Sequence, residues 1–225
     1  MSHEIEVFPT AAAASHHFAT LIAERARKTV AANGSFTLAL SGGTEPWKAF
    51  ALLADEDVPW DGVEIFQVDE RIAPDGDDDR NLTHMERSLP AAAWARVRPM
   101  PVGADDPEAA AAEYAALLPE QLDVVHLGLG TDGHMASLVP GDAVLDVQDR
   151  DVAVTSTEYQ GRRRMTLTYP ALDRARELLW LIAGESKEEP LRHLLAADPS
   201  IPAGRVRAER SLVVTDAAAS GLIGP

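Results

Sequence analysis

Four short segments carry residues whose chemistry and spacing suit the handling of a proton and of a small anion. The densest is Gly128-Leu129-Gly130-Thr131-Asp132-Gly133-His134, which continues through Met135-Ala136-Ser137-Leu138-Val139-Pro140-Gly141. Its glycines make a tight loop that presents Asp132 and His134 together. A neutral imidazole near pH 7 is the natural general base for drawing a proton from water, and Asp132 can fix its orientation or contact a ligand. The blander alternative is a histidine that caps the following turn. Taken literally the run also contains G-x-G-x-x-G after a strand. It lies in the second half of the chain, however, and no helix of ordinary length precedes Pro140-Gly141. Asp149 and Asp151 come before their strand instead of ending one, so the dinucleotide-binding fingerprint is rejected.

Ser41-Gly42-Gly43-Thr44 joins an expected strand to an expected helix. Such a turn can aim backbone N–H groups at phosphate, helped by the positive end of the helix dipole. It can equally be a plain tight turn in which Thr44 caps the helix. Asp69-Glu70-Arg71 follows another strand. Arg71 suits a developing oxyanion, and Asp69 can orient it or polarise a ligand hydroxyl; a local surface ion pair is the alternative. In Arg162-Arg163-Arg164-Met165-Thr166-Leu167-Thr168, Arg164 shares one side of an extended segment with Thr166 and Thr168, which favours it for bidentate phosphate binding. Arg162 and Arg163 read as solvated charge. Lys187 follows Gly184-Glu185-Ser186 at the opening of a helix, another anion-friendly place.

These segments must be held by alternating strands and helices. Candidate strands fall at 4–8, 36–40, 63–68, 97–100, 123–127, 152–155, 178–182 and 212–215. Candidate helices fall at 11–32, 44–53, 81–88, 107–118, 169–177, 187–196 and 216–220. Asn33-Gly34 is a good C-terminal stop for the first helix. Near-continuous apolar runs such as Val-Val-His-Leu and Leu-Leu-Trp-Leu-Ile suit strands covered on both faces, which implies an α/β fold with a mostly parallel sheet flanked by helices. In such sheets ligands sit beyond the carboxyl ends of the strands, where all four segments fall. With no repeat and no long linker, residues 1–225 are expected to form one domain.

Composition narrows the function further. The 225 residues are 46% hydrophobic and 25% charged, as in an ordinary globular protein. No apolar stretch is long enough to span a bilayer. The beginning, MSHEIEVFPT, has no apolar secretory core, so a cytoplasmic location is expected. The absence of cysteine excludes disulfides, thiol catalysis and cysteine-bound zinc. A net charge of −16 argues against nucleic acid and anionic membranes as partners. There is no G-x-S-x-G elbow and no H-E-x-x-H. His16-His17 lack a spaced acidic partner, and Asp77-Asp78-Asp79 reads as a solvated loop, so no metal is expected. Trp47, Trp60, Trp94 and Trp180 are scattered.

In the order in which they occur, these segments resemble the 6-phosphogluconolactonase family, which shares a superfamily with the amino-sugar phosphate deaminase/isomerases. The resemblance rests on Ser-Gly-Gly-Thr, Val-Asp-Glu-Arg, the segment bearing Asn81, Gly-x-Gly-x-Asp-Gly-His-x-Ala-Ser-Leu-x-Pro-Gly, Arg-x-Thr-Leu-Thr and Gly-x-x-Lys. It runs from about Leu38 to Lys187. It implies a Rossmann-like doubly wound fold and hydrolysis of 6-phospho-D-glucono-1,5-lactone to 6-phospho-D-gluconate. That reaction is the second step of the oxidative pentose phosphate pathway and needs no cofactor. By the resemblance His134 matches the general base, and Arg71, Arg164 and Lys187 match anion-contacting positions. The phosphate is then expected near Ser41, Gly42, Gly43, Thr44, Arg164 and Lys187. The partner is a small sugar phosphate, and the protein a monomer or weak homodimer. The chain departs from the common family pattern at Met135, at Val139 and at Tyr159-Gln160-Gly161, where prolines are usual. The alternatives are a glucosamine-6-phosphate deaminase/isomerase and a non-catalytic sugar-phosphate sensor. Members of the former commonly carry Phe-Asn-Glu where this chain has Ser137-Leu138-Val139, and Tyr at the place of Arg71.

Overall fold

The computed structural model describes residues 2–221. Seven strands form one parallel sheet, here given in chain order: β1 (Glu4–Phe8), β2 (Phe36–Leu40), β3 (Val63–Gln67), β5 (Val97–Arg98), β6 (Val124–Leu127), β9 (Glu177–Ile182) and β10 (Arg210–Asp216). Three more, β4 (Asp69–Arg71), β7 (Val152–Val154) and β8 (Arg164–Leu167), make a small antiparallel sheet. The helices are α1 (Ala11–Asn33), α2 (Thr44–Leu52), α3 (Asn81–Ser88), α4 (Ala91–Trp94), α5 (Pro107–Ala115), α6 (Tyr169–Asp173) and α7 (Glu188–Leu195).

Side chains on a strand alternate between faces, and the apolar strands of the large sheet feed two cores in this way. Leu38 and Leu40 of β2, Ile65 of β3 and Leu179 of β9 pack with α1 and α2 on one face. Ala39, Phe66, Leu178 and Trp180, their neighbours in sequence, pack on the other face with α5, α7 and the small sheet. Local signals set the helix ends. Thr10 Oγ1 accepts the Ala13 amide at 3.2 Å to open α1, and Gly34 closes it in a left-handed conformation at φ 82°. Asp106 caps α5 just before Pro107, accepting the amides of Glu108 and Ala109 at 3.1 Å each.

The strand order in the large sheet is β1-β10-β9-β6-β2-β3-β5. From β2 the chain proceeds outward through β3 and β5, then crosses to the other side of β2 and proceeds through β6, β9 and β10. The order therefore reverses between β2 and β6, which opens a crevice at their carboxyl ends. Ser41 follows β2 and Gly128 follows β6, so the two glycine-rich segments flank it.

Several expectations are corrected. The strand expected at 152–155 belongs to the antiparallel sheet, because β7 pairs with β8 and not with the parallel strands. The helix expected at 169–177 ends at Asp173, and Glu177 instead opens β9, held by Arg25 through two bonds of 3.1 Å. The segment 216–220 is not helical. Asp216 completes β10, its carboxylate takes the amides of Gly184 (3.0 Å) and Ala219 (2.9 Å), and the chain goes on in turns. The helix expected at 107–118 stops at Ala115, and α4 was not expected.

The loop after Gly141 is tied down by Asp142. Its carboxylate accepts the amides of Val144 (2.8 Å), Ser156 (3.1 Å) and Thr157 (2.8 Å) and the Thr157 hydroxyl (2.6 Å). Burial alone would raise its pKa, but these donors outweigh it and hold it at about 2. A depressed carboxylate stabilises the fold above its unfolded value near 4 and loses that contribution as pH falls toward 2. Asp142→Asn is expected to cost about 2 kcal/mol at pH 7, with the difference from the wild type shrinking between about pH 5 and 2. Urea unfolding of both proteins across that range checks it; a pH-independent difference would contradict the assignment.

Candidate active site

The crevice is a cleft of about 410 Å³. Ser41, Gly42, Gly43, Thr44, Asp69, Arg71, His134, Arg164 and Lys187 all line it, so the structure brings together nine of the ten residues singled out from sequence. The tenth, Asp132, stands directly behind His134. Its Oδ1 lies 2.5 Å from His134 Nδ1 and accepts the His134 amide at 3.2 Å. Burial raises the Asp132 pKa, but the His134 contacts and the Tyr159 hydroxyl lower it further, and the net shift is downward. The carboxylate is therefore ionised at neutral pH and can only accept. The neutral ring must then carry its proton on Nδ1, leaving Nε2 as the basic atom. Gly130 is required here, since a Cβ on it would lie 2.0 Å from His134 Nδ1.

The small sheet positions the cations. Its register sets Arg71 directly opposite Arg164, and Asp69 opposite Thr166. Arg71 donates to Asn81 Oδ1. Arg164 NH2 donates to the Tyr159 carbonyl (3.2 Å) and to Gln160 Oε1 (3.1 Å), while its buried Nε has no partner among the described residues. Burial lowers the Arg164 pKa. Lys187 donates to the Leu129 carbonyl at 2.6 Å, which fixes it against the glycine-rich loop. Burial lowers its pKa, partly offset by the charge of Asp132. A half-desolvated ammonium and a guanidinium with an unused donor suit an incoming anion.

Asp69 is buried and does not touch Arg71. Its carboxylate takes hydroxyl donors from Ser137 (2.6 Å) and Ser41 (3.4 Å) and the Asn81 side-chain amide (3.3 Å). Arg71 is oriented by Asn81 instead. Glu70, between them, turns inward and accepts the amides of Asn81 and Leu82 at 2.7 Å each. It thereby caps α3, whose own N-cap residue, Arg80, supplies no side-chain bond. Thr168 lies outside the cleft, bonded to the Arg150 carbonyl at 2.6 Å. Arg162 is not simply solvated: it pairs with Asp77 (3.1 Å) and Asp79 (3.0 Å), while Arg163 donates to the Thr155 carbonyl at 2.9 Å.

The turn after β2 departs from the sequence reading in one respect. The Ser41 amide points inward, to His126 Nδ1 at 3.2 Å, and is not free for a ligand. The amides of Gly42 and Gly43 donate to no group among the described residues. No side chain caps α2, so Thr44 does not serve as its cap. Gly42 cannot be replaced without displacing the Asn81 side chain, since a Cβ there would lie 2.1 Å from Asn81 Oδ1. His126 is fully buried, wedged edge-on against Phe18 (5.0 Å) and Phe50 (5.4 Å). Burial pushes its pKa down to about 3, so it is a neutral acceptor. Sequence reasoning passed over it as one member of an apolar strand. A polar side chain inside that run was the available signal.

A parallel α/β sheet whose switch-point crevice joins a histidine–carboxylate pair to clustered cations defines a protein built for a small anionic ligand. The chain belongs to the glucosamine-6-phosphate isomerase/6-phosphogluconolactonase family, whose model matches residues 9–215. It is 34% identical over 213 residues to a 6-phosphogluconolactonase of Synechocystis, covering 85% of this chain and 86% of that one. A 6-phosphogluconolactonase of Rhizobium meliloti is 35% identical over 201 residues, covering 85% and 87%. The crystal structure of a 6-phosphogluconolactonase from Shewanella baltica superimposes with a TM-score of 0.86 at 27% identity, covering 96% of this chain and 97% of that one.

Proposed function

We propose that this chain hydrolyses 6-phospho-D-glucono-1,5-lactone to 6-phospho-D-gluconate, the second step of the oxidative pentose phosphate pathway. The observation that carries the reading is the pinning of His134 Nδ1 by Asp132 in a cleft that also holds Arg71, Arg164 and Lys187. His134 Nε2 takes a proton from water as the water oxygen attacks the lactone carbonyl. Arg71 and loop N–H groups hold the tetrahedral oxyanion. Collapse breaks the bond to the ring oxygen, which leaves with the proton returned by His134. Atoms balance with one water consumed, and no covalent intermediate forms. Arg164, Lys187 and the amides of Gly42 and Gly43 grip the phosphoryl end, and Asp69 receives a sugar hydroxyl. These steps need neither metal nor cofactor.

The deaminase/isomerase alternative needs a further acid–base group to move a proton between carbons. The positions after His134 where that group would be sought are Ser137, Leu138 and Val139, all buried, and none is an acid. A non-catalytic sensor would bind but not turn over. Two assays separate both from lactone hydrolysis, the second following ammonia release from glucosamine 6-phosphate. The lactone is generated in situ with glucose-6-phosphate dehydrogenase, and acid formation is followed with and without the protein. Strong acceleration over spontaneous opening is expected; no acceleration, or ammonia release from glucosamine 6-phosphate, would reject the reading.

We further propose that the chain works as a single domain, as a monomer or weak homodimer in the cytoplasm, without nucleic acid. The net charge of −16 supports the absence of nucleic acid, and no described helix is long and apolar enough to cross a membrane.

The buried His126 adds a prediction. Deleting an acceptor leaves the Ser41 amide unsatisfied and frees the turn that carries Gly42 and Gly43. His126→Leu is expected to raise KM for the phospholactone about tenfold, with kcat changed much less. His126→Asn, whose carbonyl can meet the same amide, should recover most of the loss. Equal KM values in all three proteins would contradict the role.

A further inference from the structure

The segment 159–161 departs from the family's common pattern, and it makes contacts that the mechanism above leaves unused. Tyr159 and Arg162 form an isolated antiparallel bridge across a tight turn. Both central residues are left-handed, Gln160 at φ 55° and Gly161 at φ 77°. Positive φ is uncommon for a residue with a side chain and is kept where surrounding contacts enforce it. Here Gln160 Oε1 accepts from Arg164 at 3.1 Å, while the Tyr159 carbonyl accepts from the same guanidinium at 3.2 Å. The Arg164 guanidinium also lies over the Tyr159 ring, 5.1 Å from its centre. The far end of Tyr159 reaches the proton-transfer pair. Its hydroxyl donates to Asp132 Oδ2 at 3.1 Å and lies 3.4 Å from His134 Nδ1.

We propose that Tyr159 is a positioning residue that joins the phosphate-gripping Arg164 to the Asp132–His134 pair, its hydroxyl fixing the carboxylate and its ring supporting the guanidinium. The inference rests on the assignment of His134 as base and Arg164 as phosphate ligand. The chemistry is specific. Asp132 sits on a glycine-flanked loop with its side chain 36% exposed, so the bond to His134 does not by itself keep it from turning. A second donor on the other oxygen holds both carboxylate oxygens at once, which keeps Oδ1 on Nδ1 and the Nε2 lone pair free for water. Burial and the neighbouring Asp132 charge raise the phenol's pKa, so it stays a donor at working pH. The simpler reading is an aromatic residue that merely packs against a hairpin turn.

The two ends of the side chain can be tested separately. Tyr159→Phe keeps the ring under Arg164 and removes only the donor. It is expected to lower kcat about tenfold while KM stays within about twofold. Tyr159→Leu removes the ring as well and is expected to show the same fall in kcat with KM raised at least about threefold. A role in packing alone would instead lower Tm and leave this split absent. A second measurement needs no turnover: nitrogen-15 NMR of the His134 ring in the protein alone. The Nδ1–H form is expected to dominate in the wild type and to lose population in Tyr159→Phe. Unchanged tautomers together with kcat within twofold of wild type in Tyr159→Phe would overturn the proposal. If the wild type itself fails to open the lactone, the functional reading falls, while the tautomer populations still decide the role of Tyr159.

Discussion

Replacing His134 with asparagine is expected to lower kcat for lactone opening by about 10²–10⁴-fold, the usual contribution of a positioned general base. Asparagine keeps polarity and approximate size but cannot take a proton from water. The fold should be untouched, because the His134 side chain is partly exposed and Gly130 leaves room beside it. KM should change little, since phosphate binding is assigned to Arg164, Lys187 and the glycine turn and not to His134. A fall in kcat and kcat/KM together, with Tm unchanged, is the signature of a group used only in the transition state. Near-wild-type turnover on freshly made lactone would remove His134 from the role of base.

The second large effect is expected at Arg71. Arg71→Met retains most of the apolar stem and removes the donors aimed into the cleft. If Arg71 holds the oxyanion, kcat should fall about 10²–10³-fold with KM within about threefold. The register of β4 and β8 makes this a sharp test, because Arg71 and Arg164 are cross-strand partners of like charge in one cleft. Asn81 holds Arg71 from α3, whereas Tyr159 and Gln160 hold Arg164 from the turn before β8. The two cations are thus held by different elements although they stand side by side across the small sheet. Should Arg71→Met raise KM strongly and leave kcat alone, Arg71 grips the phosphoryl group and the oxyanion is held elsewhere.

Most polar residues of the cleft were legible because they come just after a strand of the large sheet, and strands of buried parallel sheets announce themselves as apolar runs. Leu-Ala-Leu before Ser41 and Val-His-Leu before Gly128 are of this kind. The antiparallel sheet was legible only in part: 152–155 and the extended segment at Arg164 were read, but β4 and the pairing were not. Asp69-Glu70-Arg71 has none of the β-branched or aromatic content of a strand, and β4 exists because β8 supplies its partner from a distant part of the chain. The same limitation hid the orienting contacts. Asp132 and His134 are two residues apart and could be paired by eye. The donors from Tyr159 to Asp132, from Asn81 to Asp69 and from the Ser41 amide to His126 cross between elements with no periodic trace in the sequence. Glu70 was given no role of its own in the charged run Asp69-Glu70-Arg71, yet it is fully buried as the cap of α3. The helix expected at 216–220 gives way to β10, which runs on to Asp216 because β1 supplies a pairing partner from the far end of the chain.

The arrangement as a whole is tested most directly by a crystal structure with 6-phosphogluconate bound. The phosphoryl oxygens are expected within hydrogen-bond distance of Arg164, Lys187 and the amides of Gly42 and Gly43, and the product carboxylate beside His134 Nε2 and Arg71. A product bound in the reverse sense, with its phosphoryl group against His134, would contradict it.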